Sequence, residues 1–184
     1  MTTTTRILGI DPGSRITGFG IIDSDGRRSV HVASGCIRTG AGPLASRLKA
    51  IFAGVQALMA EHRPAVVAVE QVFMARNADS ALKLGQARSA AICATFAGGA
   101  ELHEYAARAI KQAIVGIGHA DKAQVSHMVS VLLNHRKPLQ ADAADALAVA
   151  LCHAHARPLA TRLAVLAAVP RRGRLREAGR GLRR

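Results

Sequence analysis

The sequence predicts an α/β domain, a mixed five-stranded sheet with helices packed over it. Three patterns lead there. The chain opens with short β-type apolar runs separated by tight turn sequences. A wholly apolar run recurs after a helical stretch, and the second half is dominated by apolar residues at helical spacing.

Taken in order, Arg6 to Ile10 is a first strand, stopped by Asp11-Pro12-Gly13-Ser14, where Pro and Gly fix a bend. Ile16 to Ile22 resumes as a strand, with Gly18 and Gly20 interleaved; Asp23-Ser24-Asp25-Gly26 turns again, and Ser29 to Arg38 is a third strand. Pro43 opens a helix whose apolar residues Leu44, Leu48, Ile51, Val55 and Leu58 fall on one face. His62-Arg63-Pro64 ends it. Ala65 to Val69 is apolar throughout, as expected of a strand buried on both faces. A helix capped by Asp79 or Ser80 is predicted to run to about Ala97, with Gly85, Ala87, Ser89, Ala90 and Ala91 suited to close packing. Leu102 to Tyr105 is a short strand. Helices follow at Ala107–Ile114, Lys122–Leu133 and Gln140–Ala156. Beyond Arg157 the character changes: Leu159, Leu163 and Leu166 could make one more helical segment, and Arg171 to Arg184 reads as disordered. The expected organisation is one folded domain over residues 1–156 and a basic, Arg-rich tail over 157–184.

Charge narrows the partners. Lys and Arg total 25 against 12 Asp and Glu, a formal net charge of +13. The stretch from Arg157 carries nine Arg and one Glu, yet the remainder is basic on its own account. Such a chain attracts polyphosphates, with affinity that falls as salt rises. A membrane surface is a poorer match, because the tail lacks aromatic residues and a long amphipathic face. No apolar run is long enough to span a bilayer and no leader precedes the first strand, so a cytoplasmic location is expected. Cys36, Cys93 and Cys152 lack metal-ligand spacing and read as buried, reduced thiols. His153 and His155 lie two apart and cannot share a helix face, so they are not expected to be catalytic.

With so few acids, their positions matter. Asp11 ends the first strand and Glu70 ends the buried one; if those strands are neighbours, both carboxylates emerge at one edge, where α/β proteins build sites. Asp142 and Asp145 are three apart in an Ala-rich helix, so they share a face. Like charges there repel and are costly to desolvate. Taken singly, Asp142 also reads as a first-turn charge favoured by the helix dipole, Asp145 as an exposed helix residue and Asp11 as a turn residue. Together the four ask for a hard divalent cation, which takes carboxylate oxygens and can serve phosphodiester hydrolysis.

Five blocks then spell a family. Residues 7–20, Ile-Leu-Gly-Ile-Asp-Pro-Gly-Ser-Arg-Ile-Thr-Gly-Phe-Gly, resemble the opening of the RuvC crossover junction endodeoxyribonucleases. Val69 to Asn77, continuing to Arg88, resembles the second block. Glu104 to Arg108, Val115 to Gly118 and Gln140 to Ala148 complete the match, which covers roughly residues 5–156 in order. The resemblance implies a ribonuclease-H-like fold and a homodimer with two active sites. It implies Mg²⁺-dependent hydrolysis, with Mn²⁺ as a substitute, on two opposed strands of a four-way (Holliday) junction, in homologous recombination and DNA repair. The family's catalytic and metal-binding acids fall on Asp11, Glu70, Asp142 and Asp145. Its junction-contacting aromatic falls on Phe73 and its flanking lysines on Lys111 and Lys122. Arg76, where a Lys is expected in many relatives, keeps the charge but changes the donor geometry. Implied partners are a junction-binding protein and a branch-migration motor ATPase of the same pathway.

Two rivals remain at this level. Gly9 to Gly13 followed by Gly18 also resembles the phosphate loop of sugar-kinase and actin-like ATPases, but those enclose nucleotide between two such domains, which 184 residues cannot supply. A non-catalytic junction binder suits the charge but leaves the four acids without a purpose.

Overall fold

The structure is a computed structural model that describes residues 4–71 and 77–168, with side chains as far as Ala156. Five strands form one sheet in the order β3-β2-β1-β4-β5. β1 (Thr5–Asp11), β2 (Ile16–Ser24) and β3 (Ser29–Arg38) make the antiparallel meander. β4 (Val66–Gln71) lies parallel to β1, and β5 (Glu101–Ala106) parallel to β4. Each parallel step needs a crossover, supplied by α1 (Leu44–His62) and α2 (Ala78–Cys93). α3 (Ala107–Val115), α4 (Lys122–Leu132) and α5 (Ala141–Ala168) follow.

The apolar strands are continuous because the sheet is covered on both faces. Side chains alternate across a strand, so Leu8, Ile10, Val67 and Val69 pack with Ile51, Val55 and Met59 of α1 and Ala87 and Ala91 of α2. Ile7, Val66 and Ala68 point the other way, onto α5 and the helices α3 and α4 behind it. Between Ala143 and Ala154 every residue of α5 except Asp145 is buried. A helix that is apolar all round belongs in the middle of a core, and α5 lies there, between the sheet and the α3–α4 layer.

Glycines set how closely α5 approaches. A Cβ on Gly9 would stand 2.1 Å from the carbonyl oxygen of Ala146, and one on Gly18 would stand 1.9 Å from that of Asp142. At Gly20 it would meet Leu147 at 2.6 Å. Gly9 and Gly20 are cross-strand partners, and Gly18 is the partner of Asp11. The interleaved glycines of β1 and β2 are therefore a seat for the first turns of α5.

Several expectations need correction. The cap of α2 is Asn77, not Asp79 or Ser80: its extended backbone lets the side-chain oxygen accept from the amides of both. That helix stops at Cys93 and gives way to a 3₁₀ turn at Phe96–Gly98 rather than reaching Ala97. Cys93 is exposed; of the three thiols only Cys152 is fully buried. The helix expected to end at Ala156 runs on to Ala168. Phe73, Arg76 and the stretch Arg171–Arg184 lie outside the described residues.

Candidate active site

Asp11 is the last residue of β1 and Glu70 the last but one of β4. The strands are parallel neighbours, so both carboxylates leave the sheet at the same end. Beyond Asp11 the chain turns sharply. The buried Thr17 hydroxyl donates to the Gly13 carbonyl at 2.9 Å and closes that turn. A Cβ on Gly13 would lie 2.0 Å from the Ile16 carbonyl, so the bend requires glycine.

α5 brings the second pair. Asp142 sits in its first turn, with its main chain directly over Gly18, which faces Asp11 across the β1–β2 ladder. Asp145, one turn on, points into a cleft of about 450 Å³ that is also lined by Asp11, Glu70, Lys111 and Lys122. Lys111 comes from α3. Lys122 is the first residue of α4, whose start is fixed by a reciprocal cap between Asp121 and Gln124. The Lys122 ammonium donates to Asp145 Oδ2 at 3.0 Å. The sheet end and three helices thus bring all four acids and both lysines into one region.

Electrostatics shows what this proximity does. Burial pushes the Asp11 carboxyl up to about 7, and the charges of Glu70, Asp145 and Asp142 push the same way while Lys122 opposes them. Glu70 is also raised, first by burial and then by Asp145, against Lys122, a hydrogen bond with Asp11 and Lys111. Burial and the neighbouring acids therefore favour the protonated form of Asp11, with Glu70 beside it. The Lys122 ammonium is held above its ordinary value by its hydrogen bond to Asp145. Two lysines do not cancel four acids, and the excess negative charge is what a divalent cation would neutralise.

The donors suit a hard ion, since all are carboxylate oxygens with no thiolate or imidazole among them. Among the described residues, no three acidic, His or Cys side chains stand close enough together to hold an ion. Lys122 instead occupies one oxygen of Asp145.

Reading the sequence alone missed three contributors. Gly9, Gly18 and Gly20 seat α5, and their interleaving in a strand was the available signal. Thr17 closes the Asp11 turn without a motif of its own. The third, Arg88, reaches the main chain of Glu70 from α2. His153, buried on α5, takes a hydrogen bond with the hydroxyl of Tyr105 (2.8 Å), the ladder partner of Glu70.

Known proteins give this arrangement its context. The family model described as crossover junction endodeoxyribonuclease RuvC matches residues 7–153. A protein of that name from Marinobacter nauticus is 57% identical over 171 residues, covering 93% of this chain and 98% of its own. Another, from Methylococcus capsulatus, is 59% identical over 159 residues, covering 86% and 96%. Among solved structures, Thermus thermophilus RuvC in complex with a Holliday junction superposes with a TM-score of 0.80 at 34% identity, over 85% of this chain and 97% of that one. The four acids at the β1–β4 end, the helix that completes them and a sequence match running almost the length of the domain agree: this chain belongs to the RuvC family of crossover junction endodeoxyribonucleases.

Proposed function

We propose that this chain resolves four-way DNA junctions by paired phosphodiester hydrolysis, as a homodimer, with Mg²⁺ held by Asp11, Glu70, Asp142 and Asp145. The carrying observation is the uncompensated acid cluster, with Asp11 raised to about 7, at the sheet end of a RuvC-family fold. When bound, Mg²⁺ supplies Lewis acidity and neutralises charge on the phosphodiester, and Mn²⁺ is expected to substitute. The chain's own groups do the rest. Lys111 and Lys122, on the cleft wall, place positive charge where the scissile phosphate enters. Lys122 exchanges Asp145 for phosphate as the site fills. Phe73, three residues beyond Glu70, is assigned to stack on an unpaired base, and Arg76 to a backbone phosphate.

A second copy of the chain is assigned to the outer face of α2. Leu82 is 68% exposed there, and with Gly85, Ser89 and Cys93 it lines an apolar groove of about 910 Å³ that also takes in Leu48 of α1. Small residues on an unpartnered helix face allow the close approach of a symmetric pair. Among the described residues no helix is long and apolar enough to cross a membrane. The reading places the enzyme in the cytoplasm, acting with a junction-binding protein and a branch-migration motor ATPase. Residues 1–156 are assigned the chemistry, and the Arg-rich 157–184 a salt-sensitive, nonspecific contribution to DNA affinity.

The test is cleavage of a synthetic four-way junction beside a linear duplex of the same sequence, with Mg²⁺, using wild type and Asp11→Asn. Symmetric nicks in the junction alone are expected. The variant should bind the junction normally and cut at least about a thousandfold more slowly, the scale of losing a charge-stabilising ligand. Unchanged cutting by the variant would remove Asp11 from the mechanism.

A further inference from the structure

Arg88 stands outside the acid cluster yet touches the strand that carries Glu70. From α2 its Nε donates to the main-chain carbonyl of Glu70 at 3.3 Å. Its Nη2 forms an ion pair with Oε1 of Glu104 on β5. One guanidinium therefore joins a helix, the Glu70 strand and the edge strand.

The position of that link matters. β1 pairs with β4 only as far as Ile10 opposite Val69, so Glu70 is one residue past the end of that ladder. Only β5 continues beside it, through Tyr105 and Ala106. A carboxylate at a strand end is placed by its own backbone, and a small tilt there moves the oxygens by more than the tolerance of a catalytic site. Arg88 supplies the missing restraint. Its side chain is only 22% exposed, and Glu104 fixes the guanidinium in orientation. The fork geometry is essential: two separate nitrogens of one plane reach Glu70 and Glu104 together, which the single nitrogen of an ammonium does not reproduce.

We propose that Arg88, held by Glu104, is a positioning residue that sets the Glu70 carboxylate for cation binding. The proposal rests on the reading of Glu70 as a metal-holding acid. It predicts an effect on the Mg²⁺ requirement that a purely structural ion pair would not have, because the metal senses the ligand's placement rather than the fold's stability.

The test compares full-length wild type, Arg88→Lys, Glu104→Gln and Glu70→Gln. Four quantities are measured: melting temperature, junction affinity with Ca²⁺ in place of Mg²⁺, solution mass, and the Mg²⁺ concentration for half-maximal junction cleavage. Arg88→Lys keeps the charge opposite Glu104 but loses the fork. Its half-maximal Mg²⁺ concentration should rise about tenfold with junction affinity and mass unchanged; Arg88 also borders the apolar groove on α2, so a change in solution mass would assign the effect to the dimer and overturn the proposal. Glu104→Gln should shift the same way by less. A wild-type Mg²⁺ midpoint in Arg88→Lys overturns the proposal, as does a cleavage loss that only follows a lower melting temperature. Full cleavage by Glu70→Gln would instead sink the underlying reading of the site, so the two failures are told apart.

Discussion

Asp11 and Asp23 sit at opposite ends of one antiparallel strand pair and are held in opposite electrostatic states. Asp23 is the cross-strand partner of Arg6, and the two side chains form a bidentate pair, Nε to Oδ1 and Nη2 to Oδ2, both at 2.8 Å. That guanidinium holds the Asp23 carboxyl below its ordinary range. Five residues further along β1, Asp11 faces not a cation but Gly18 and, over it, the start of α5 with another acid. Burial and the neighbouring carboxylates push it up to about 7. One end of the pair has its charges matched within the chain. The other is matched only in part, by Lys122, which costs the free protein stability and is the imbalance that the proposed cation would relieve. A perturbed acid in a cleft is a functional signal for that reason, whereas the paired one is structural.

The comparison can be broken most severely through the glycine seat. Gly18→Ala would put a methyl 1.9 Å from the Asp142 carbonyl, against main chain that has nowhere to go. α5 must lift, at about 3 kcal/mol, which takes Asp145 out of the cleft and Asp142 away from Asp11. Junction cleavage should be lost together with several degrees of melting temperature. Wild-type cleavage by a stably folded Gly18→Ala protein would mean that the close approach does not set the site.

Next in size is a pH effect on the metal-free protein. Asp11 is raised when folded, so the native state binds its proton more tightly than the unfolded chain. The stability this confers is full below about pH 4 and is lost as pH rises through about 7. Asp11→Asn removes the loss. It should be more stable than wild type at pH 8 by up to about 4 kcal/mol, the linkage of a carboxyl held at about 7 in the folded state. The advantage should shrink to nothing as pH falls toward 4. A pH-independent difference would refute the electrostatic origin.

Mg²⁺ should abolish much of that strain. It is expected to raise the wild-type melting temperature by a few degrees, and that of Glu70→Gln by clearly less, about 1 kcal/mol of difference in binding linkage. Equal shifts would place the ion elsewhere.

The smallest effect belongs to the matched end. Asp23 is lowered by Arg6, so its contribution is present above pH 4 and fades as pH falls through the folded value. Both side chains are partly exposed, which limits the pair to about 1 kcal/mol or less. Asp23→Asn should lower stability at neutral pH by that amount and leave cleavage untouched. A cleavage defect would show that the two ends are not independent.

How much could be read beforehand follows from the kind of signal each residue carries. The central strands β1 and β4 were legible because Ile7–Ile10 and Val66–Val69 are apolar on both faces, and β2 and β3 because tight turn sequences bound them. The helix boundaries were less so. Asn77 outcompeted Asp79 and Ser80 as the cap by adopting an extended backbone that composition does not reveal. The stop at Cys93 likewise reflects the turn that leads into β5. Taken singly, Asp11, Asp142 and Asp145 had ordinary local readings; the four acids stood out only together, because no local rule accounts for Glu70 after a buried strand beside two carboxylates in an Ala-rich helix. Lys111 and Lys122 carried no such mark and came only from the family resemblance.

The amino-acid sequence by itself determined the alternation that builds a two-faced sheet, the all-round apolar helix that must lie at its centre, and the presence of acids where desolvation makes them costly. Each is a local or periodic property, visible along the chain. The tertiary structure decided the rest: that β1 and β4 are parallel neighbours, that Gly9, Gly18 and Gly20 let α5 lie against them, and that Asp11 loses its charge balance as a result. Those depend on which distant segments meet and how closely. Desolvation and like-charge repulsion act over a few ångströms of space, not over positions in a sequence.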